Sequence, residues 1–293
     1  RASCAGLLMR SGCSAITANA SAAPPAPRIF IGGHMLFIGI CGASGSGKTT
    51  IGRSIIRLYA PTAGEIFFNE KKISGKLDAG TRRMLRKDMQ MIFQDPMSSL
   101  NPRKKIGDIV GEGLDIHGLY ASKEERKKII GEMLENVGLS PEQAERYPHQ
   151  FSGGQRQRVG IARALVMKPK LIIADECISA LDVSIQAQVV NLMKEMQEKT
   201  SCAYLFIAHD LSMVKYISNK VGVLHLGYLV EEGTTEEVFA DPAHPYTKSL
   251  LSAVPCPNPR IERSRHALMY DTSNANYEGA SMKKISETHL VLK

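Results

Sequence analysis

Short, continuous apolar runs alternate with amphipathic stretches along most of the chain. The apolar runs end at Cys41, Ala174 and Ala208, and runs of this kind are typical of strands buried on both faces of a parallel sheet. Between them, apolar residues recur at helical spacing, for example within residues 183–199. This alternation predicts an α/β fold with a mostly parallel sheet.

Weaker patterns predict the remaining helices and strands. Residues 29–43 are predicted as one buried strand, 49–59 as a helix, 65–69 and 89–93 as short strands, and 221–231 as a strand pair. Residues 96–150 have a different character, with a capping-box pair at Ser122 and Glu125 and a helix stop at Gly138. They predict a helical insertion outside the sheet. An ordinary crossover helix is the alternative, although fifty or so residues are long for one.

The segment between the first strand and the first helix reads GASGSGKT, from Gly42 to Thr49. It matches the phosphate-binding pattern G-x-x-x-x-G-K-[ST] in the strand–loop–helix context that the motif needs, whereas a chance glycine-rich turn would not require that context. Its glycines permit φ > 0, and the helix N-terminus adds a partial positive charge. Lys48 is expected at the β- and γ-phosphates and Thr49 at Mg²⁺. The candidate ATP-binding residues are Gly42, Ser44, Gly45, Ser46, Gly47, Lys48, Thr49 and Thr50.

Polar residues follow three other predicted strands. Asp175 is the candidate Mg²⁺ ligand, and Glu176 is the candidate polariser of the attacking water. Gln94 and His209 could orient water or the γ-phosphate, and Gln94 could also contact Mg²⁺. Because the carboxyl ends of parallel strands share one edge of a sheet, these residues can converge with the phosphate loop. Each of them taken alone could equally be an incidental polar strand end.

Composition narrows the classes of protein. The net charge is +8 with a pI near 9.1, and no acidic residue precedes Glu65. Such a balance allows nucleic acid, anionic lipid or a nucleotide as partner, or a basic surface without a dedicated partner. No apolar run reaches the length of a membrane span. The six cysteines lack C-x-x-C or zinc spacing, which favours reduced thiols.

Together these motifs resemble the ATP-binding cassette (ABC) ATPases over roughly residues 33–255. Residues 151–155 (FSGGQ) resemble the family's signature, 171–176 its Walker B strand with the catalytic glutamate, and 179–182 its D-loop. Gln94 resembles the Q-loop residue and His209 the switch histidine. The resemblance implies a head-to-tail pair of such domains that holds two ATP molecules, each between one chain's phosphate loop and the other's signature. It adds the nucleotide-contact candidates Ser152, Gly153, Gly154, Gln155 and Asp182.

Within that family the chain resembles the oligopeptide, dipeptide and nickel importer ATPases, through residues 94–96, 99–103, 146–149, 182–190 and 244–251. Its tail is similar to that of the oligopeptide ATPase that pairs with a non-identical partner. The resemblance implies a peripheral subunit on the cytoplasmic face of the cell membrane that uses ATP and Mg²⁺ to energise peptide uptake. The implied partners are a second ATPase in a heterodimer, two permease subunits and an extracellular peptide-binding protein, with no direct nucleic-acid binding.

Three parts of the chain are expected. Residues 1–28 are rich in Ala, Ser, Gly and Pro and form a disordered or non-native leader, with an organellar transit peptide as the weaker alternative. Residues 29–255 form the ATPase domain, with its insertion at about 96–150, and residues 256–293 form a C-terminal extension. Only Cys256 lies in the tail, so no iron–sulfur cluster is expected there.

Two other function classes were weighed. A soluble ABC-type ATPase acting on nucleic acid or ribosomes commonly has two cassettes or a long coiled-coil insertion, and this chain has neither feature. A non-enzymatic regulator would be expected to lack Lys48, Glu176 or the signature. One departure from the family concerns adenine, since residues 1–28 hold no aromatic residue and Phe30 stands close to the phosphate loop. Weak selectivity for the base is therefore expected.

Overall fold

The computed structural model describes residues 28–31, 36–255, 268–272 and 275–293. Expectations for residues 1–27, including the leader, and for Cys256 lie outside these described residues. The chain divides into two compact units. Unit 1 comprises Arg1–Lys76 and Ile207–Lys293, and unit 2 comprises Leu77–Phe206.

The elements follow one another in chain order. Up to Lys76 they are β1 (Arg28–Ile31), β2 (Phe37–Cys41), α1 (Lys48–Ile55), β3 (Glu65–Phe68) and β4 (Lys71–Lys72). Then come α2 (Ala79–Asp88), β5 (Met89–Ile92), α3 (Pro96–Ser99), α4 (Ile106–His117), α5 (Lys123–Asn136), α6 (Gly153–Leu165), β6 (Leu171–Asp175), α7 (Val183–Thr200) and β7 (Ala203–Ile207). The remainder are α8 (Leu211–Ile217), β8 (Lys220–His225), β9 (Tyr228–Thr234), α9 (Thr235–Ala240), α10 (Pro245–Ser252), β10 (Met282–Lys284) and β11 (Leu290–Leu292).

In unit 1 the strands of the main sheet run in the order β10-β11-β9-β8-β2. Strand β2 pairs parallel with β8, and the later strands pair antiparallel. Strand β1 belongs to a second sheet, in which it pairs parallel with β3. The prediction of a single strand over residues 29–43 was therefore wrong. Gly32 and Gly33 separate the two apolar stretches, and glycine weakens a strand interior.

In unit 2 the strands run in the order β7-β6-β5, and β5 pairs parallel with β6. Helices α3, α4 and α5 pack against α6. The apolar faces that meet there are fully buried, and Val110, Leu114, Leu134 and Val159 are among them.

The helix ends test the local predictions. A complete capping box joins Ser152 and Gln155 at the start of α6. At Ser122 only one half of the box forms, because the Glu125 carboxylate accepts from the Ala121 N–H and not from that of Ser122. Helix α1 stops earlier than predicted because Arg57 takes the left-handed φ of 66°.

Three further observations bear on the broad class. The cysteines within the described residues, Cys41, Cys177 and Cys202, are buried and form no disulfide. Burial raises the pKa of each of these thiols to about 12, so they stay protonated at neutral pH. Across the described part of the chain, no helix is both long and apolar enough to cross a membrane.

Candidate functional site

The phosphate loop connects β2 to α1 within unit 1. Its three glycines all have positive φ, at 147° for Gly42, 81° for Gly45 and 94° for Gly47. A Cβ on Gly45 would meet nothing within 4 Å, so this glycine is required by backbone conformation and not by crowding. A Cβ on Gly42 would instead lie 2.2 Å from the Leu224 carbonyl oxygen. The sequence pattern therefore folds into an open, glycine-dependent loop.

The start of α1 suits an anion. Gly47 is the N-cap residue and provides no side-chain cap, and the first turn contains no acidic residue. The first amides of a helix have no intrahelical partners, and they carry partial positive charge. The Ser46 hydroxyl is buried and has no hydrogen-bond partner within the described residues. This unpaired hydroxyl at the start of a helix fits a phosphate group, whose oxygens accept hydrogen bonds.

Lys48 is held inside the same loop. Its side chain is almost fully buried, and its Nζ donates to the carbonyl oxygens of Gly42 at 2.6 Å and Ala43 at 2.9 Å. The loop therefore supplies the polar partners that a buried ammonium group needs. The arrangement places a cation at the helix start, where an incoming phosphate would add a stronger acceptor.

A cleft of about 310 Å³ adjoins the loop in unit 1. Gly47, Thr50, Ile51 and Tyr59 are among the residues that line it. Tyr59 is 47% exposed, and its hydroxyl accepts from Arg53 at 3.1 Å. The sequence pattern did not single out this tyrosine, because it follows the first helix, whereas family resemblance directs attention to residues before the loop.

In unit 2 the structure brings two of the predicted residues together. The Gln94 Nε2 donates to the Glu176 Oε2 at 3.0 Å. Gln94 follows β5 and Glu176 follows β6, and these two strands are parallel neighbours. Glu176 has a φ of 46°, a conformation that costs a non-glycine residue about 1–2 kcal/mol. Its carbonyl accepts from the N–H and hydroxyl of Ser179, which helps to hold that conformation.

The predicted Mg²⁺ ligands are distributed over both units. Asp175, the last residue of β6, is 1% exposed, and Gln94 is exposed at the end of β5. Thr49 belongs to α1 in unit 1. In the described residues no group of three or more His, Cys, Asp or Glu side chains could hold a metal ion by itself. The donors fit Mg²⁺, which takes oxygen ligands and is usually bound by one or two carboxylates together with substrate phosphates.

The signature residues form the start of α6. The Ser152 Oγ accepts from the Gln155 N–H at 3.3 Å, and the Gln155 Oε1 accepts from the Ser152 N–H at 3.0 Å. A Cβ on Gly154 would lie 2.6 Å from the Ile185 Cγ2, so this glycine is required by packing against α7. Asp182 is exposed and precedes α7 as its N-cap residue, without a side-chain capping bond.

His209 lies close to the phosphate loop in the fold of unit 1. The preceding residue, Ala208, donates its N–H to the Ile40 carbonyl of β2 at 3.1 Å. Since β2 leads directly into the loop, His209 sits at the loop end of that strand. Its side chain is exposed, and Asp210 caps α8 immediately after it.

A second tyrosine contacts the loop from far along the chain. The Ala43 N–H donates to the Tyr246 Oη at 2.9 Å. The sequence pattern gave this tyrosine no role, because 203 residues separate it from Ala43.

Comparisons with known proteins show which families the chain matches. The family described as ABC transporter matches residues 34–179, and the family described as oligopeptide/dipeptide transporter, C-terminal region, matches residues 230–276. The chain is 59% identical to the oligopeptide transport ATP-binding protein OppF of Bacillus subtilis, over 80% of this chain and 77% of that protein. It is 55% identical to the dipeptide transport ATP-binding protein DppF of Lactococcus lactis, over 86% and 82%.

Two solved structures share the fold. One is cbiO1 of Clostridium perfringens, part of an ABC transporter complex, with a TM-score of 0.66 and 27% identity over 79% of this chain and 87% of that one. The other is a dimeric ATP-binding cassette in a post-hydrolysis state, bound to ADP and Pi. Its TM-score is 0.61, with 32% identity over 69% of this chain and 86% of that one.

Proposed function

This chain belongs to the ABC transporter family, and on that premise we propose that it energises the uptake of short peptides by hydrolysing ATP. It is an ATPase with an α/β phosphate-loop fold and a mostly parallel sheet. The observation that carries the proposed hydrolytic role is the bond from Gln94 to Glu176. It holds a carboxylate at the end of a buried strand, where a water-activating group is needed.

The roles of the site residues follow from their positions. The amides at the start of α1, with Ser46 and Lys48, bind the phosphates. Glu176 accepts a proton from the attacking water, and the amide of Gln94 keeps its carboxylate oriented. His209 orients the γ-phosphate. Asp175, Thr49 and Gln94 would hold Mg²⁺, which neutralises charge on the phosphates when bound.

The signature acts on a neighbouring cassette in this proposal. Ser152, Gly153, Gly154 and Gln155, with Asp182, contact nucleotide held by the phosphate loop of a second ATPase. The capping box satisfies the Gln155 amide, which leaves the amides of Gly153 and Gly154 outside intrahelical bonding. These amides are suited to a phosphate presented from another chain. The second ATPase is a different subunit, so the working unit is a heterodimer.

The transported class is proposed as oligopeptides or dipeptides, from the names of the similar proteins and from the C-terminal match. Two permease subunits and an extracellular peptide-binding protein complete the transporter, with this chain on the cytoplasmic face of the membrane. The domain limits 29–255 and 256–293 are retained for this assembly. No observation favours the alternative of a soluble ATPase acting on nucleic acid or ribosomes.

Residues 96–150 form the proposed permease-docking surface, because the segment follows directly from Gln94 in the chain. Arg103 is exposed there, whereas Lys104 is paired with Glu112 at 2.8 Å. Arg103→Glu is therefore the cleaner charge reversal, since it breaks no ion pair found in the described structure. We expect it to lower transport while basal ATPase activity is retained, and equal loss of both activities would contradict the docking role.

The hydrolytic role is tested by Glu176→Gln. The change keeps the shape of the side chain but removes its basicity, and we expect ATP turnover to fall by about 10²–10⁴-fold while ATP still binds. Glu198→Gln, at an exposed position of α7, is the matched control and should turn over normally. Near-parental turnover by Glu176→Gln would show that another group activates the water.

A further inference from the structure

The phosphate loop has an anchor that its own motif does not include. Ala43, the second residue of the loop, is bonded through both of its backbone groups. Its N–H donates to the Tyr246 Oη at 2.9 Å, and its carbonyl accepts from the Lys48 Nζ at 2.9 Å. The same carbonyl also accepts from the Ser46 N–H at 3.2 Å. Tyr246 therefore holds the residue against which the phosphate-binding lysine rests.

Tyr246 is itself firmly placed. It is 4% exposed and occupies the first turn of α10. The His244 side chain caps this helix by accepting from the Tyr246 N–H at 3.1 Å, and Pro245 presets the backbone at the helix start. Burial raises the pKa of the Tyr246 hydroxyl, which keeps it protonated and neutral. The acceptor offered to Ala43 is therefore a fixed phenol oxygen.

The ring of Tyr246 lies in an aromatic cluster to which the C-terminal segment, defined here as residues 268–272 and 275–293, contributes. It lies 4.0 Å from the ring of His225, which ends β8. The His225 Nδ1 hydrogen-bonds with the Tyr277 Oη at 2.7 Å, and Tyr277 in turn contacts the Tyr270 hydroxyl at 3.2 Å. Tyr270 packs edge-on against Tyr246 at 5.6 Å. The C-terminal segment thus contacts the loop's anchor directly.

A second connection joins the same parts of unit 1. Glu231 is fully buried in β9 and accepts from the N–H groups of Ala243 and His244, just before α10. The His289 Nε2 hydrogen-bonds to the same carboxylate at 2.7 Å, from the residue that precedes β11. One carboxylate therefore fixes both the start of α10 and the last strand. Loss of order in the C-terminal segment would therefore disturb the position of Tyr246 in two ways, through the aromatic contacts and through the Glu231 carboxylate.

We propose that Tyr246 is a positioning residue for the phosphate loop, and that the C-terminal segment tunes nucleotide affinity through it. The segment is then part of the nucleotide-binding apparatus, although it contains no phosphate-loop motif. This inference rests on the proposed function in one respect, since it takes the phosphate loop as the nucleotide-binding site. It makes Tyr246 control the binding of ATP, whereas Glu176 and Gln94 control its hydrolysis.

The direct test is Tyr246→Phe, which keeps the ring packing and removes only the acceptor for the Ala43 N–H. A hydrogen bond of this kind contributes about 0.5–1.5 kcal/mol, so affinity for the fluorescent nucleotide methylanthraniloyl-ATP should fall roughly 2- to 13-fold. The KM for ATP should rise by a similar factor while kcat changes less than about twofold. Tyr216→Phe, at an exposed tyrosine of α8 in the same unit, is the control and should leave affinity unchanged.

Tyr277→Phe tests the role of the C-terminal segment, because it removes the hydroxyl that bonds to His225. It should weaken nucleotide binding in the same direction as Tyr246→Phe but less. The double variant should bind no more weakly than Tyr246→Phe alone, since both changes act through one contact. Additive losses, or no effect of Tyr277→Phe, would overturn the proposed tuning by the segment.

An unchanged KM in Tyr246→Phe, with a change only in thermal stability or kcat, would overturn the positioning role. The parent protein separates this inference from the proposed function. If the parent itself binds no nucleotide, the proposed function fails. If the parent binds nucleotide and Tyr246→Phe binds equally well, only the present inference fails.

Discussion

Two glycine-rich helix starts in this chain use glycine for different physical reasons. At the start of α1, Gly47 is the N-cap residue with a φ of 94°, and no side chain caps the helix. At the start of α6, Ser152 is the N-cap residue in an extended conformation, within a complete capping box. The first start has no side-chain cap of its own. The second satisfies part of its own hydrogen bonding through Ser152 and Gln155.

The reason for glycine differs in the same way. A Cβ on Gly45 would meet nothing within 4 Å, and a Cβ on Gly47 would lie at an ordinary contact distance of 3.7 Å from the Gly227 Cα, so backbone conformation selects both glycines. Gly154 has no room, because Ile185 of α7 lies against it. A motif match does not distinguish a glycine kept for its φ from one kept for close packing. Gly45 and Gly47 of the phosphate loop therefore serve its backbone conformation, whereas Gly154 serves packing within unit 2.

The largest expected difference concerns the cation at each start. Lys48 donates to the carbonyls of Gly42 and Ala43, and Arg156 similarly donates to the Phe151 carbonyl at 2.8 Å. Lys48→Ala should weaken ATP binding about 10–150-fold, because charge-assisted bonds contribute about 1.5–3 kcal/mol. Arg156→Ala should leave binding by the isolated chain unchanged. Calorimetric titration of both variants checks this, and an equal loss in both would erase the distinction between the two starts.

Unit 1 contains the buried carboxyl of Glu232, which should make the stability of the protein depend on pH. Burial raises the pKa of this carboxyl from 4.5 to about 7, against the opposing attraction of Lys220. The folded state therefore binds this proton more tightly, so the stability contributed by Glu232 is fully present below pH 4.5 and is lost as the pH rises through about 7. Glu232→Gln should remove this fall and gain up to about 3 kcal/mol at pH 8.

Urea unfolding at pH 5.5 and pH 8 measures the effect. Glu236→Gln, at an exposed position of α9, is the control and should retain the pH dependence of the parent. If Glu232→Gln showed the same slope with pH as the parent, the buried carboxyl would have no part in it.

The next largest expected effect is on stability, and it comes from packing at the start of α6. Gly154→Ala should destabilise the protein by about 1–3 kcal/mol, because the new methyl meets Ile185. Adding Ile185→Ala removes the clashing Cγ2 and should recover part of the loss. Methylanthraniloyl-ATP binding by the isolated chain should be unchanged in both variants. A Gly154→Ala variant as stable as the parent would show that α7 moves aside easily.

The smallest expected effect concerns selectivity for the base of the nucleotide. Tyr59 lines the cleft that Gly47 and Thr50 also line, and aromatic stacking tolerates any base. ATP and GTP should therefore bind with affinities within a few-fold of one another. Tyr59→Ala should weaken both by a similar factor and leave tripolyphosphate binding unchanged. A strong preference of the parent for ATP would contradict this expectation of weak base selectivity.

Local features of the site were predictable from the sequence. The phosphate loop and the capping box at Ser152 depend on residues within a few positions of each other, so a short pattern carries them. The approach of Gln94 to Glu176 follows from the general rule that parallel strands end at one edge. The catalytic roles of these residues, and those of Asp175 and His209, remain predictions.

Other features depend on tertiary packing and could not be predicted from the pattern of apolar and polar residues. Strands β10 and β11 have three residues each, and Lys283 and Lys284 give β10 no apolar alternation. The bond from Ala43 to Tyr246 joins residues that are 203 positions apart, so no short pattern carries it. The positive φ of Glu176 is held by Ser179, and no propensity predicts a left-handed glutamate.

The central claim is that hydrolysis by this chain drives peptide uptake. Its most direct test is uptake of a labelled tripeptide into proteoliposomes that contain the permeases, the partner ATPase and this chain, with the binding protein added outside and ATP enclosed at the cassette side. The parent and Glu198→Gln should accumulate the peptide, and Glu176→Gln should bind ATP without accumulating it. Accumulation by Glu176→Gln at the parental rate, or no ATP-dependent accumulation by the parent assembly, would contradict the claim.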